Sequence, residues 1–169
     1  MIRMSIFLGL LLWLVLANGF SYQGNYRLPW FAKMAQADTG QISEKELTRV
    51  NSDGPVTIKI VYLNPLGKVE DKSLAFEVSL DTHSVDLEMY KLEKHLLLLD
   101  DKGRRFKPLG WFSPQGGGHH RSGIIKFPAL DGKGNPVLSP RAKSIQLVVT
   151  DIGGVAKRQF QWLLPLKAN

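Results

Sequence analysis

Two short stretches hold most of the groups in this chain that could do chemistry. In Gly116–Arg121 three glycines run into His119, His120 and Arg121, and in Asp81–Asp86 a histidine, His83, sits between two carboxylates. Imidazole and carboxylate together suit a divalent metal such as zinc or copper, held by three or four ligands that meet at one point. The set within reach is His83, His119, His120, Asp81 and Asp86, with Asp151 on a third stretch. Two adjacent histidines on a strand would face opposite ways, so only one of the pair would enter such a site.

The same stretches offer two other readings. The N–H groups of Gly116, Gly117 and Gly118, with the Arg121 guanidinium, form a cradle for an anionic or polar ligand. Alternatively the stretches are architecture: glycines for positive φ, Asp81, Thr82 and Ser84 capping nearby amides, His83 bracing the glycine loop. A catalytic reading would take Ser84 or Ser122 as nucleophile and a histidine as base. Neither serine lies in a nucleophile elbow, so the expectation is a protein that binds rather than catalyses.

The elements that must position these groups are strands. From Pro55 onward, runs such as Val56-Thr57-Ile58-Lys59-Ile60, Leu74–Leu80 and Gln159–Leu164 alternate apolar with polar residues. With His95–Asp101, Arg104–Trp111, Ser122–Ala129 and Ser144–Asp151 they make seven β-runs, separated by Gly, Pro and Asp clusters. That pattern, without helical periodicity, predicts an all-β, antiparallel, immunoglobulin-like sandwich of about seven strands over residues 55–166. If each run reverses the last, the loops after the second, fourth and sixth runs share one end. Those loops carry His83, the Gly116–Arg121 stretch and Asp151-Ile152-Gly153-Gly154, whereas the opposite end has ordinary polar turns. Loops gathered at one end of a rigid sandwich commonly carry binding. Trp111 and Trp162 fall in strand patterns and are expected in the core, and the leucine run after His95 is expected in a central strand.

Residues 1–19 read as an address. Arg3 precedes the uncharged apolar run Met4–Leu16, and Ala17-Asn18-Gly19 supplies small residues for cleavage. The run is shorter than the ~20 residues of a membrane span, so it predicts a signal peptide, with an uncleaved anchor as the alternative. Either way the protein is extracytoplasmic, in a periplasm or cell envelope, and touches membrane only through that segment if it is retained. Residues 20–54 form an irregular leader, in which Ser43 and Glu46 make a capping box for a short helix over Glu44–Val50. The segment Gly40–Glu46 matches the second half of an EF-hand loop. Ala35, Ala37 and Thr39 stand where that loop needs oxygen ligands, so calcium is not expected there.

The formal charge of +7 is spread along the chain rather than gathered in a run, so no nucleic acid is expected as a partner. The absence of cysteine excludes disulfides, thiolate metal sites and a thiol nucleophile.

Leu80–Leu87, Gly116–Gly123, Asp151–Val155 and the closing Arg158–Trp162 together resemble a group of bacterial and archaeal secreted or membrane-anchored proteins with an immunoglobulin-like sandwich. The resemblance spans about residues 56–164. It implies the sandwich fold and a role for His83, His119, His120 and Arg121, and it implies no substrate. The expected function is an extracytoplasmic module that binds a divalent metal or a small polar ligand through loops at one end. The alternative is a structural or adaptor domain that contacts a protein partner in the cell envelope.

Overall fold

A computed structural model describes residues 42–166. The signal segment, the leader up to residue 41 and most of the EF-hand-like stretch lie outside the described residues. Among those described, no helix is long and apolar enough to cross a membrane.

The chain is an antiparallel β-sandwich, as expected, with nine strands among the described residues where about seven are expected. A one-turn helix, α1 (Glu44–Leu47), leads into β1 (Thr48–Asn51), β2 (Val56–Tyr62), β3 (Ser73–Thr82), β4 (Leu96–Asp100) and β5 (Arg105–Phe106). Then follow β6 (Gly110–Gly117), β7 (His120–Pro128), β8 (Ser144–Ile152) and β9 (Val155–Leu163). One sheet has the order β1-β2-β3-β7-β6 and the other β5-β4-β8-β9.

Alternation sets the faces. Val56, Ile58 and Ile60 of β2 are buried while Lys59 between them is exposed, and Phe160 and Trp162 of β9 are buried while Gln159, Gln161 and Leu163 are exposed. The two inner faces meet around Phe76, whose ring lies 4.9 Å from Tyr62, 5.4 Å from Trp162 and 5.9 Å from Phe127. Trp162 is the core residue that sequence patterning expects; Trp111 is half-buried against the same cluster.

Three expectations shift. The capping box is present, with the Ser43 amide donating to Glu46 at 2.8 Å, but the helix stops at Leu47 rather than Val50. Thr48 turns extended and β1 pairs with β2, so the sandwich begins before Pro55. This strand also closes one side: Arg49 Nε donates to the Gln161 carbonyl at 2.8 Å, and Trp162 Nε1 to the Leu47 carbonyl at 2.7 Å. The run Arg104–Trp111 divides between the two sheets, β5 pairing with β4 and the following β6 with β7. Pro108, which has no N–H to give a ladder, sits at the crossing.

Finally, the opposite end is as firmly built as the histidine end. Asp100, its side chain 2% exposed, accepts from Arg104 Nε at 2.6 Å and from the amides of Lys102 and Arg104. Burial alone would raise that carboxyl's pKa, but these bonds win and hold it below the usual range.

Candidate functional site

The glycine–histidine stretch is a β-hairpin rather than a loop. Gly116 and Gly117 belong to β6, His120 and Arg121 to β7, and only Gly118 and His119 form the turn. Gly116 has φ +74°, and a Cβ on it would lie 2.1 Å from the His120 carbonyl oxygen. No side chain fits there. A Cβ on Gly117 would lie 2.6 Å from Glu88 Oε1.

The hairpin tip is tied to the segment that carries His83. The Thr82 amide donates to the His119 carbonyl at 3.0 Å, and the Leu87 amide to the Gly118 carbonyl at 2.9 Å. The Gly118 amide donates to Glu88 Oε1 at 3.2 Å. Asp86 is occupied as a cap, accepting from the Glu88 amide at 2.9 Å. Arg121 faces inward: Nη1 donates to the carbonyls of Leu87 and Tyr90 at 2.7 and 3.1 Å, and the guanidinium lies 4.4 Å from the centre of the Trp111 ring.

The β8–β9 hairpin joins through the Gly153 amide, which donates to Tyr90 Oη at 3.0 Å. The three loops therefore do share one end. The β1–β2 turn is there as well, held by Arg158, which bridges the carbonyls of Ile152 and Asp53 at 2.7 and 2.6 Å. Arg158 is 2% exposed, and burial lowers its pKa. In the sequence it passes for one of many scattered basic residues.

What this end offers to a ligand lies on the outer face of the five-stranded sheet. Asp81 and His120 are paired across β3 and β7, and His120 Nδ1 lies 2.7 Å from Asp81 Oδ1. In the neutral imidazole this places the proton on Nδ1 and leaves Nε2 as a free acceptor. Register puts further polar groups on the same face: Thr57 beside Asp81, Lys59 beside Ser79, Ser79 beside Ser122, and Gln115 beside Ser122. They surround an open concavity of about 530 Å³ with His120 at its margin. Lys59, Ser79 and Gln115 escape sequence reasoning because the polar positions of an alternating strand read simply as solvent-facing.

The expected metal set does not assemble. Among the described residues no group of three or more His, Cys, Asp or Glu side chains could hold a metal ion. Asp81 and His120 meet, but His83 and His119, both exposed, join them in no such group. Of the expected cradle, Gly118 gives its amide to Glu88 and Arg121 gives Nη1 to two carbonyls. Comparison of the chain with family models, curated proteins and solved structures returned no match.

Proposed function

We propose that this chain is an extracytoplasmic binding module that takes a small polar ligand on the outer face of its five-stranded sheet, at the histidine end. The observation that supports this is the Asp81–His120 bond, which fixes one imidazole in the lining of an open concavity whose side chains are mostly of polar type and leaves Nε2 to engage a ligand. The surrounding end, cross-tied by Glu88, Tyr90, Arg121 and Arg158, gives the face a preformed shape, and preformed sites bind at lower entropic cost. Of the ligands expected from sequence, the polar one suits this geometry, whereas the metal finds no group of three protein ligands among the described residues.

The test is a screen of the ¹⁵N-labelled full chain against a library of small polar compounds by amide shift mapping. Hits are expected to move the amides of Ser79, Asp81, His120 and Ser122, and to bind about tenfold more weakly to Asp81→Ala, in which the imidazole is no longer oriented. Hits confined elsewhere would overturn the proposal. A second reading, an adaptor that contacts protein, draws on the exposed apolar side chains of Met89, Leu109 and Phe112. It expects no small-ligand response at His120.

The location rests on Arg3, the apolar run that follows it and the small residues up to Gly19. Chain expressed in a bacterial host is expected outside the cytoplasm, beginning at Phe20 if cleaved or held at the membrane from Met1 if not. Recovery as a soluble cytoplasmic protein that starts at Met1 would contradict it.

A further inference from the structure

We infer that the ligand of this concavity is an uncharged saccharide, and that the site continues as a trough able to take a linear oligosaccharide; the inference rests on the binding reading above. Charge balance is the first reason. Lys59, Asp81 and Arg121 are the fixed charges that line the concavity, and His120 adds none while its imidazole is neutral. Arg121 spends Nη1 on the carbonyls of Leu87 and Tyr90 and lies against Trp111, which leaves Lys59 and Asp81, diagonal neighbours on adjacent strands, as the outward-facing pair of opposite sign. An anion would gain from Lys59 and lose against Asp81, so an uncharged occupant is the complement.

The second reason is the kind of polar group present. The hydroxyls of Ser79 and Ser122 each donate and accept, the Thr57 hydroxyl, which donates to Ser52, still accepts, and the Gln115 amide does both. A sugar hydroxyl also donates and accepts, so it can satisfy such neighbours from either side. Asp81 spends Oδ1 on His120 and keeps Oδ2 as an acceptor for a hydroxyl donor.

The third reason is continuity. Gln115 and Ser122 also line a neighbouring concavity with Glu77, Ser113 and Ile124, and Ile124 lines a third with Ala75 and Lys126. The trough thus follows the outer face of β3 and β7 from the Asp81–His120 pair to the Ala75–Lys126 pair. At the ordinary rise per strand residue this is about 20 Å, longer than one sugar ring. Ile124 and the facing Phe112, 42% exposed, offer apolar surface to the C–H faces of sugar rings.

An extended peptide fits less well. β3 and β7 are interior strands, each paired on both sides, so their backbone groups are spent and no strand can be added in the trough.

The experiment titrates the ¹⁵N-labelled full chain separately with cellotriose, maltotriose, chitotriose, mannotriose, inorganic phosphate and tri-alanine. At least one trisaccharide is expected to shift the amides of Ser79, Gln115, His120 and Ser122 saturably. Ser122→Leu, which raises the floor of the trough, is expected to weaken that binding about tenfold or more. Ser79→Leu serves the same purpose should the first variant not fold. Shifts at these amides with phosphate or tri-alanine, and with no trisaccharide, would overturn the saccharide assignment and leave the binding module standing. No response at these amides to any of the six probes would overturn both. Undiminished trisaccharide binding by the leucine variants would place the sugar elsewhere and overturn the assignment.

Discussion

Arg158→Ala is expected to destabilise the fold by about 3–5 kcal/mol, lowering the melting temperature by on the order of 10 °C or more. The guanidinium is buried and has no carboxylate within ion-pair distance among the described residues; its partners are the carbonyls of Ile152, Asp53 and Val56. Alanine removes both the packing and the donors, leaving three carbonyl groups under-satisfied. Arg158→Met separates the two effects, since it retains the aliphatic stem and loses only the donors. Thermal unfolding of the three proteins should rank them wild type, methionine, alanine. A methionine variant as stable as wild type would show that Arg158 fills space and does not clamp the loops. The carboxylate nearest in influence is Asp53, whose charge favours the guanidinium against the burial that disfavours it.

Gly116→Ala is the second large effect, about 3 kcal/mol or more. Part is the cost of a left-handed conformation for a residue with a side chain, about 1–2 kcal/mol. The rest is steric, because the new methyl would stand 2.1 Å from a backbone oxygen of β7, which cannot swing aside as a side chain would. Gly118→Ala is the control. Its φ is also positive, at +55°, but nothing lies within 4 Å of the added carbon, so only the conformational cost applies. Unfolding measurements should show the Gly116 variant well below the Gly118 variant. The amides of His120 and Asp81 should shift in the first and stay near their wild-type positions in the second. Equal destabilisation would mean that the hairpin absorbs the methyl and that Gly116 matters only for its backbone freedom.

Much of this arrangement is legible in the amino-acid sequence. The clustering of three loops at one end follows from counting strand reversals, and it holds despite the two further strands for a physical reason. β5 and β6 belong to different sheets but run in the same direction, so treating Arg104–Trp111 as one strand left every later reversal unchanged. The added strand β1 comes before the others and only brings a fourth turn, with Asp53 and Gly54, to the same end. Sequence pattern does not show it, because the Ser43–Glu46 capping box and the charged residues after it suit a helix, whereas Thr48 and Val50 gain more by pairing with β2.

The site itself was legible in part. Asp81 and His120 were singled out by type, but nothing in the spacing of the chain says that they are cross-strand partners; that depends on the register of β3 against β7. Three glycines in a row suggested a loop, yet two of them are strand residues whose missing side chains let Glu88 and the His120 carbonyl come close. Arg121 was expected to face a ligand. Alternation along β7 turns it inward, between His120 and Ser122 facing out, and it holds the Leu87–Tyr90 segment from beneath. Arg158 was beyond the reach of pattern, because a buried arginine bonded to carbonyls has the same sequence signature as a surface one.

The most direct test of the central claim, that Asp81 orients His120 so that Nε2 meets the ligand, is the ¹⁵N spectrum of the imidazole nitrogens in the full chain at a pH where the ring is neutral. The expected result is a single tautomer at His120 with the proton on Nδ1, replaced by a mixture or by the Nε2–H form in Asp81→Ala. A wild-type His120 that carries its proton on Nε2, or that is unaffected by loss of Asp81, would contradict the account.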